Sequence, residues 1–577
     1  MANKNQELAS IFERIADALE LKGETGFRVL AYRKAARVLA DLADDVVDLD
    51  REGCLVKIPG IGSGIASKIH EYLTTGRMEK FDEVTAGIES GLFALLEIPG
   101  LGPKTLKMLN EKLKVKDIDD LKRVLADGSA AQLPGMGERK VANILKGIAN
   151  VEHTGKRMYL NEAFELTEAL IDHLTKERAI DKIAYAGSLR RGKETIGDID
   201  ILVTGKNSAK IINRFINFPT VREVLAAGET KASVLIDTGI GFRQADLRVV
   251  ENESFGAALQ YFTGSKDHNI ALRMMAQKNG LKLSEYGVFR KEKRVAGATE
   301  FEVYQVLGLP YIEPELRENQ GEIEAALENR LPHLITINDI KSDLHIHTDL
   351  SDGTSSLTEI VAGAQKLGYT HIAITEHSLS AGYAGGLSEE ELLRRCEEID
   401  KLNSKLNGFR ILKSAEVDIT PDGRLDYSDK TIAALDIVIA AVHQAFNREV
   451  TKRICFAIEH PLVQIIAHPS GRLIGRRPGY DIDLDKVIEC AAKHNKILEI
   501  NSYYERLDLN DIWARKAKAA GVLIAINTDA HSLTDLSWMR YGVLTARRAW
   551  LETQDVINCL VLSDLLKLLN RIATLSA

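Results

Sequence analysis

The sequence predicts a multidomain protein that mixes α+β and α/β classes. Three observations predict it. The N-terminal quarter reads as helices, with apolar residues at three- and four-residue spacing and repeated glycine turns between them. The stretch Gly187–Val203 ends as a strand in which Ile199, Ile201 and Val203 alternate with Asp198, Asp200 and Leu202. Beyond residue 340, short β-branched runs alternate with amphipathic helices, the pattern of a parallel sheet closed or wound by crossover helices. At 577 residues the chain has room for about three or four such domains.

Composition narrows the class further. The net charge of −8 argues against a broadly basic nucleic-acid coat. Local basic patches can still be masked by metal-binding carboxylates and an acidic segment. The five cysteines are scattered without a Cys-x-x-Cys pair, which reads as reduced thiols and a cytoplasmic setting. No signal peptide is visible. No apolar run approaches the roughly 18–20 residues of a membrane span, so no membrane partner is expected.

Residues Asn5 to Leu42 place Leu8, Ile11, Phe12, Ile15 and Leu19 on one helical face. A local pattern then recurs as Ile58-Pro-Gly-Ile-Gly62, Ile98-Pro-Gly-Leu-Gly102 and Leu133-Pro-Gly-Met-Gly137. Each copy precedes an amphipathic helix carrying Lys or Arg. A tight glycine turn at a helix N-terminus presents unpaired N–H groups to an anion. Gly60, Gly62, Gly100, Gly102, Gly135 and Gly137 let a phosphodiester approach the backbone.

In the central strand Asp198 and Asp200 share one face, because successive side chains point to opposite sides. Two carboxylates on one face repel unless cations sit between them, and Mg²⁺ prefers carboxylate oxygen together with substrate phosphates. Upstream, Gly187 and Ser188 form a small, turn-prone pair suited to phosphate, and the guanidinium forks of Arg190 and Arg191 match phosphate oxygens.

Of 14 histidines, nine fall after residue 340. His345 and His347 alternate on one strand face, and Asp352 follows in a polar turn. His377, Glu416, His443, His468, Asp529 and His531 sit at the ends of successive apolar runs. Strand markers Leu344, Ile372, Ile411, Ile437, Val463, Ile497 and Val522 imply seven strands. Active sites of β/α barrels gather at C-terminal strand ends. Nine donors of imidazole and carboxylate type could hold a cluster of three metal ions that activates water against a phosphoester.

The string Gly-Ser-x-x-Arg-Gly-x-x-x-x-Gly-Asp-x-Asp resembles the nucleotidyltransferase signature of family-X DNA polymerases, the polymerase beta group. That resemblance implies a third carboxylate on a neighbouring strand, which Asp246 in Gln244-Ala-Asp246-Leu-Arg248 supplies. It implies two Mg²⁺ ions held by Asp198, Asp200 and Asp246, and in-line attack of a primer 3′-oxygen on a dNTP. Gly187, Ser188, Arg191 and Gly197 would bind the nucleotide, with Ser188 and Arg191 on the β- and γ-phosphates. Tyr261, Phe262 and Gly264 match the segment against the incoming sugar; Asn269 and Arg273 match positions near the incoming base pair. Lys266 and Ile270 depart from the polymerase beta residues.

The glycine turns resemble helix-hairpin-helix motifs, which implies sequence-independent contact with DNA phosphates, often through bound Na⁺ or K⁺. The first lies in a region like the lyase domain of the group, where Lys68 takes the place of a Schiff-base lysine. A neighbouring basic position of the family is Gly64 here. The C-terminal region resembles the PHP domain (polymerase and histidinol phosphatase), with Mn²⁺ or Zn²⁺ as the implied cluster metals. Glu376 stands where Asp is more usual. Arg472, Arg476 and Arg477 follow His468 and could grip DNA or lie solvated.

The resemblance implies a lyase-like helix-hairpin-helix domain at 1–81 and a fingers-like one at 82–158. A palm follows at 159–252, a thumb at 253–318, an acidic linker at 319–340 and a (β/α)7 PHP barrel at 341–577. It implies a DNA-directed polymerase that fills short gaps in base excision repair, with a 3′–5′ exonuclease that could also cut at abasic sites or remove 3′-phosphates. The expected partners are gapped or primed DNA and dNTPs, and the expected state is a monomer. Two rivals are a DNA-end scaffold with decayed sites and a template-independent nucleotidyltransferase.

Overall fold

The structure is a computed structural model. It describes residues 4–576 apart from 25, 41, 43–45, 59, 89, 97, 99–100, 138–139, 142–143, 146–156 and 240. The chain divides into two compact units. One is Met1–Arg157 with Asp237–Phe242, and the other is Met158–Ile236 with Arg243–Ala577.

The first unit is helical. Helix α1 (Lys4–Leu21) packs on α2 (Phe27–Ala40). Leu8, Phe12, Ile15 and Leu19 are buried at the interface, as their spacing requires. Arg33 of α2 bonds Asp17 at 2.6 Å and Glu20 at 2.8 Å. Two glycine turns feed helices: Gly62 caps α3 (Ser63–Thr75) and Gly102 caps α4 (Pro103–Leu113). Gly60 and Gly135 have φ of 108° and 75°, a region in which a β-carbon is disfavoured. Among the expected phosphate contacts, Gly100 lies outside the described residues. Gly62, Gly102, Gly135 and Gly137 are exposed and nothing would meet a β-carbon at any of them.

The second unit begins with a five-stranded mixed sheet. Its strands are β1 (Ile180–Tyr185), β2 (Asp198–Gly205), β3 (Val221–Ala227), β4 (Lys231–Asp237) and β5 (Phe242–Val250), in the order β1-β2-β5-β4-β3. β2 runs antiparallel to β1 and parallel to β5. Helices α5 (Phe255–Thr263), α6 (Lys266–Lys278) and α7 (Glu300–Val306) follow, with a three-stranded antiparallel sheet between the last two. Arg317 is fully buried and donates to Glu300 at 2.6 Å, while Arg190 forks onto the same carboxylate at 2.6 and 2.9 Å. Glu300 is held at about 2: burial opposes ionisation, but Arg317 and Arg190 outweigh it.

The start of the segment expected as a linker (319–340), and Glu315 and Glu318 just before it, are packed in this structure. Glu315 accepts from Arg547 at 2.7 Å, Glu318 from Arg548 at 2.9 Å, and Glu322 contacts His268 at 2.6 Å. All three carboxylates are buried. Their charges are matched inside the fold and do not form a solvated face.

The last part is a seven-stranded parallel sheet in sequential order. Its strands are β6 (Ser342–Asp343), β7 (His371–Ile374), β8 (Arg410–Asp418), β9 (Ile437–Ala441), β10 (Ile465–Ile466), β11 (Ile497–Asn501) and β12 (Ile524–Asn527). A parallel bridge between Ile346 and Ala530 joins the two ends of the sheet, so the expected (β/α)7 barrel nearly closes. Its interior is filled by residues such as Leu344, Leu412, Ile439, Ile465 and Ile497, against Leu565 and Leu569 of the C-terminal helix. The core around the five-stranded sheet also contains barrel residues, the buried Leu507 and Tyr541.

Candidate active sites: an aspartate trio and a histidine-lined pocket

The register of β2 on β5 sets Asp200 directly beside Asp246 and Asp198 beside Gln244. Asp198, Asp200 and Asp246 each bring a carboxylate oxygen within 4.8 Å of the others. Ser233 donates to Asp246 from β4, and Gln244 donates to it at 3.3 Å, so two neighbours fix that carboxylate's rotamer. Asp200 is pushed up to about 7 by burial and by the charges of Asp198 and Asp246, against the pull of Arg248 and Arg191. Such mutual repulsion is relieved by a divalent cation, and an all-oxygen donor set suits Mg²⁺ or Mn²⁺. Gly187 has φ of 64°, and a β-carbon there would collide with Oδ2 of Asp200. The glycine turn therefore lies directly against the trio.

The two signature arginines are held differently. Arg190 is committed to Glu300 and to Thr263 Oγ1 at 2.7 Å. Arg191 donates to Glu318 at 3.0 Å and to the Thr263 carbonyl. Tyr261 and Phe262 meet edge to face at 5.1 Å. Arg248 stands 4.4 Å over Phe262 and Arg273 6.0 Å over Tyr261. Asn269 is buried, donating to the Tyr261 carbonyl and accepting from Gln260, both at 2.7 Å. Gly264 is buried beside Arg191, whereas Gly197 is exposed and Ser188 half-buried.

At the C-terminal ends of the barrel strands, the nine donors predicted from sequence converge on one pocket. His347, Asp352, His377 and His531 form one group of ligand atoms within 4.8 Å of each other. His345, His347 and Asp529 form a second, and His377, Glu416 and His443 a third. His468 joins through Nε2, 2.9 Å from Glu416 Oε1. Several buried donor atoms have no hydrogen-bond partner: Nε2 of His345, both ring nitrogens of His347, Nδ1 of His377, Nδ1 of His468 and Oε2 of Glu416. Buried polar atoms left unpaired are costly. A set of them facing one another, with imidazole and carboxylate chemistry, fits a cluster of cations.

The protonation pattern follows the same logic. His347 is driven down to about 3 by burial and by His377 and His531, so its lone pairs are available at neutral pH. Burial opposes protonation of His377, but Glu416 and Asp352 outweigh it and bring it to about 10. Glu416 stays far below the carboxylate range: burial raises it, while His443, His345 and His377 pull it down.

Two carboxylates behind the ligands were not singled out from sequence. Glu499 on β11 contacts Nδ1 of His345 at 2.8 Å, and Asp418 on β8 contacts Nδ1 of His443 at 2.7 Å. Both set the tautomer that leaves Nε2 facing the pocket. The signal for Glu499 was a lone acid among apolar residues in Ile497-Leu-Glu-Ile-Asn501, whereas Asp418 shares its strand with Arg410, Lys413 and Glu416 and carried no such signal. Glu376 turns away from the donors, accepting from Thr348, from Ser351 at 2.6 Å and from Arg395 at 3.3 Å. Arg472 is spent on Glu194 at 2.8 Å, Arg477 donates to the Gly471 carbonyl at 2.8 Å, and Arg476 pairs with Glu505 at 2.9 Å. In the first unit, Lys68 is half-buried and its amine donates to the Gly64 carbonyl of its own helix at 3.1 Å.

Comparison with known proteins agrees with this geometry. Residues 3–78 match a helix-hairpin-helix domain and 93–150 a SAM-like helix-hairpin-helix tandem. Residues 258–318 match the DNA polymerase beta thumb, and 343–503 the PHP domain. The chain is 39% identical over 571 residues to the DNA polymerase/3′–5′ exonuclease PolX of Bacillus subtilis (strain 168), covering 98% of this chain and 99% of that one. It is 29% identical over 343 residues to DNA polymerase lambda of Rattus norvegicus, covering 55% and 56% of the two chains. A probable phosphatase of Thermoanaerobacter sp. (strain X514) is 33% identical over 232 residues, 37% of this chain and 89% of that one. Likeness at this level, spanning nearly the whole of both chains and joined to donors gathered at two places in the fold, shows that this chain belongs to the bacterial family-X DNA polymerase/3′–5′ exonucleases with a C-terminal PHP domain.

Proposed function

We infer that the chain extends primer 3′ ends at the aspartate trio and digests 3′ ends at the histidine-lined pocket, acting on short gaps during base excision repair. The observation that carries this reading is the pair of separate donor sets, one all-carboxylate and one rich in imidazole. In the first, Asp198, Asp200 and Asp246 hold two Mg²⁺ ions. When bound, these ions lower the pKa of the attacking hydroxyl and neutralise charge on the transferred phosphoryl group. Gly187 admits the triphosphate to the backbone beside Asp200. Ser188 and Arg191 bind the β- and γ-phosphates, Arg191 exchanging Glu318 for phosphate oxygen. Gly197, Tyr261, Phe262 and Gly264 shape the sugar pocket, with Asn269 and Arg273 toward the base pair.

In the second site, His345, His347, Asp352, His377, Glu416, His443, His468, Asp529 and His531 hold three Mn²⁺ or Zn²⁺ ions. When bound, these supply an activated water and neutralise the phosphodiester. Glu499 and Asp418 keep His345 and His443 in the ligating tautomer. The match of the C-terminal part to a probable phosphatase favours removal of 3′-phosphates as a second reaction of this pocket. The hairpin glycines of the first unit, with bound Na⁺ or K⁺, track the DNA backbone without reading bases. No described helix is long and apolar enough to cross a membrane.

The test assays synthesis and 3′-end digestion on gapped DNA with Mn²⁺. Asp198→Ala/Asp200→Ala is expected to lose synthesis alone, and His345→Ala/His347→Ala digestion alone. Loss of digestion in the first variant refutes the division of labour. Template-dependent choice of dNTP separates this reading from a template-independent transferase.

A further inference from the structure

A second kind of donor set lies away from both sites, on the helical layer around the barrel. Helix α8 (Val450–Glu459) carries Cys455 and Glu459 four residues apart, and α9 (Leu484–Lys493), in the next crossover, carries Cys490 with His494 four residues on at its C-cap. Side chains at that spacing share a helix face. The two helices pack on each other, so the two pairs meet. Glu459, Cys490 and His494 each bring a ligand atom within 4.8 Å of the others. The Cys490 sulfur lies 3.7 Å from the Cys455 carbonyl, and the Cys455 thiol lies against the second helix, 4.0 Å from the Lys486 carbonyl. Nε2 of His494 is buried and has no hydrogen-bond partner, a costly state for an imidazole nitrogen unless a cation or donor satisfies it.

We propose that Cys455, Glu459, Cys490 and His494 form a tetrahedral zinc site that clamps these two helices together. Two sulfurs, one imidazole and one carboxylate make a soft to intermediate donor set that selects Zn²⁺ over Mg²⁺ or Ca²⁺. On binding, each thiol loses its proton to solvent and forms one sulfur–zinc bond; nothing is oxidised or reduced. Two thiolates and a carboxylate leave one net negative charge on the zinc-bound site, and Lys486 and Lys493 stand near the thiols to offset it. The site is structural: all four positions are taken by protein, so none is open for a substrate. One clamped helix follows β9 and His443 just beyond its end, and the other follows the loop after His468. The clamp therefore braces the part of the barrel that presents these two imidazoles.

The probe is Co²⁺, titrated into the reduced, metal-stripped full chain. Thiolate ligation gives a sulfur-to-cobalt charge-transfer band, and neither the aspartate trio nor the histidine-lined pocket contains sulfur. The band is expected to saturate at one cobalt per chain and to persist in His345→Ala/His347→Ala. It should lose at least about half its intensity in Cys490→Ser and vanish in Cys455→Ser/Cys490→Ser, and His494→Ala should bind at least about tenfold more weakly. In the His345→Ala/His347→Ala background, Zn²⁺ should raise the melting temperature, and adding Cys490→Ser should remove that rise. Absence of the band in the native chain, or an unchanged band in Cys490→Ser, overturns the proposal.

Discussion

Gly187 and Asp200 are in such close approach that the glycine's missing β-carbon would occupy the space of the Asp200 carboxylate oxygen. The φ of 64° at Gly187 adds a second reason for glycine. Gly187→Ala should displace the carboxylate and cut the kcat/KM for nucleotide incorporation by at least about 100-fold. Digestion of 3′ ends should be unchanged, and single-turnover assays of both reactions on one DNA check this. Retention of near-native synthesis would mean that Asp200 can move without penalty.

The raised Asp200 pKa gives a signed pH effect. The carboxyl titrates at about 7 in the fold against a usual 3.8. Between these values the folded state binds more protons than the unfolded one, so stability of the metal-free protein falls as pH rises through that window. The loss attributable to this group is about 2–4 kcal/mol. Asp200→Asn should flatten the dependence and be the more stable protein at pH above 7 without metal. Urea midpoints of both proteins across the window, with and without Mg²⁺, measure it; Mg²⁺ should stabilise the native chain more than the variant.

Glu499→Gln and Asp418→Asn should each lower metal affinity of the histidine-lined pocket by about 10–100-fold, because each removes the charge that orients a ligating imidazole. Digestion at limiting Mn²⁺ should fall accordingly and recover at high Mn²⁺, with synthesis untouched. A variant that no Mn²⁺ concentration restores would show that the carboxylate does something other than orient its histidine.

Arg548 donates to Glu318 and to the Arg191 carbonyl, both at 2.9 Å, and pairs with Asp511 at 2.6 Å. Arg548 and Glu318 are buried and Asp511 half-buried, so Arg548→Ala leaves two carboxylates short of a cation and should cost about 3–5 kcal/mol. Equilibrium denaturation checks the value. A change below about 1 kcal/mol would place the pair among screened surface bridges instead.

The donors were legible because their spacing carries the geometry. Alternation put His345 and His347 on one strand face, and the ends of apolar runs located His443 and His468, since parallel strands present their C-termini together. The seven strands were legible for the same reason. The supporting layer was not. Glu499 pairs with His345 across 154 residues, and no local pattern encodes that partnership. Arg191 matched a phosphate ligand by motif, yet its guanidinium rests on Glu318, a contact across 127 residues. The acidic run around Glu315 and Glu322 looked like a connector because composition reports charge and not the Arg547 and His268 that meet it.

Leu507 and Tyr541 sit among the apolar residues of the five-stranded sheet's core. Severing the chain at the acidic segment would strip oily contacts from the synthetic half and expose them to water. Dissecting this particular chain at that seam would thus call for new polar side chains around Leu507 and Tyr541 before either fragment could stay dissolved alone.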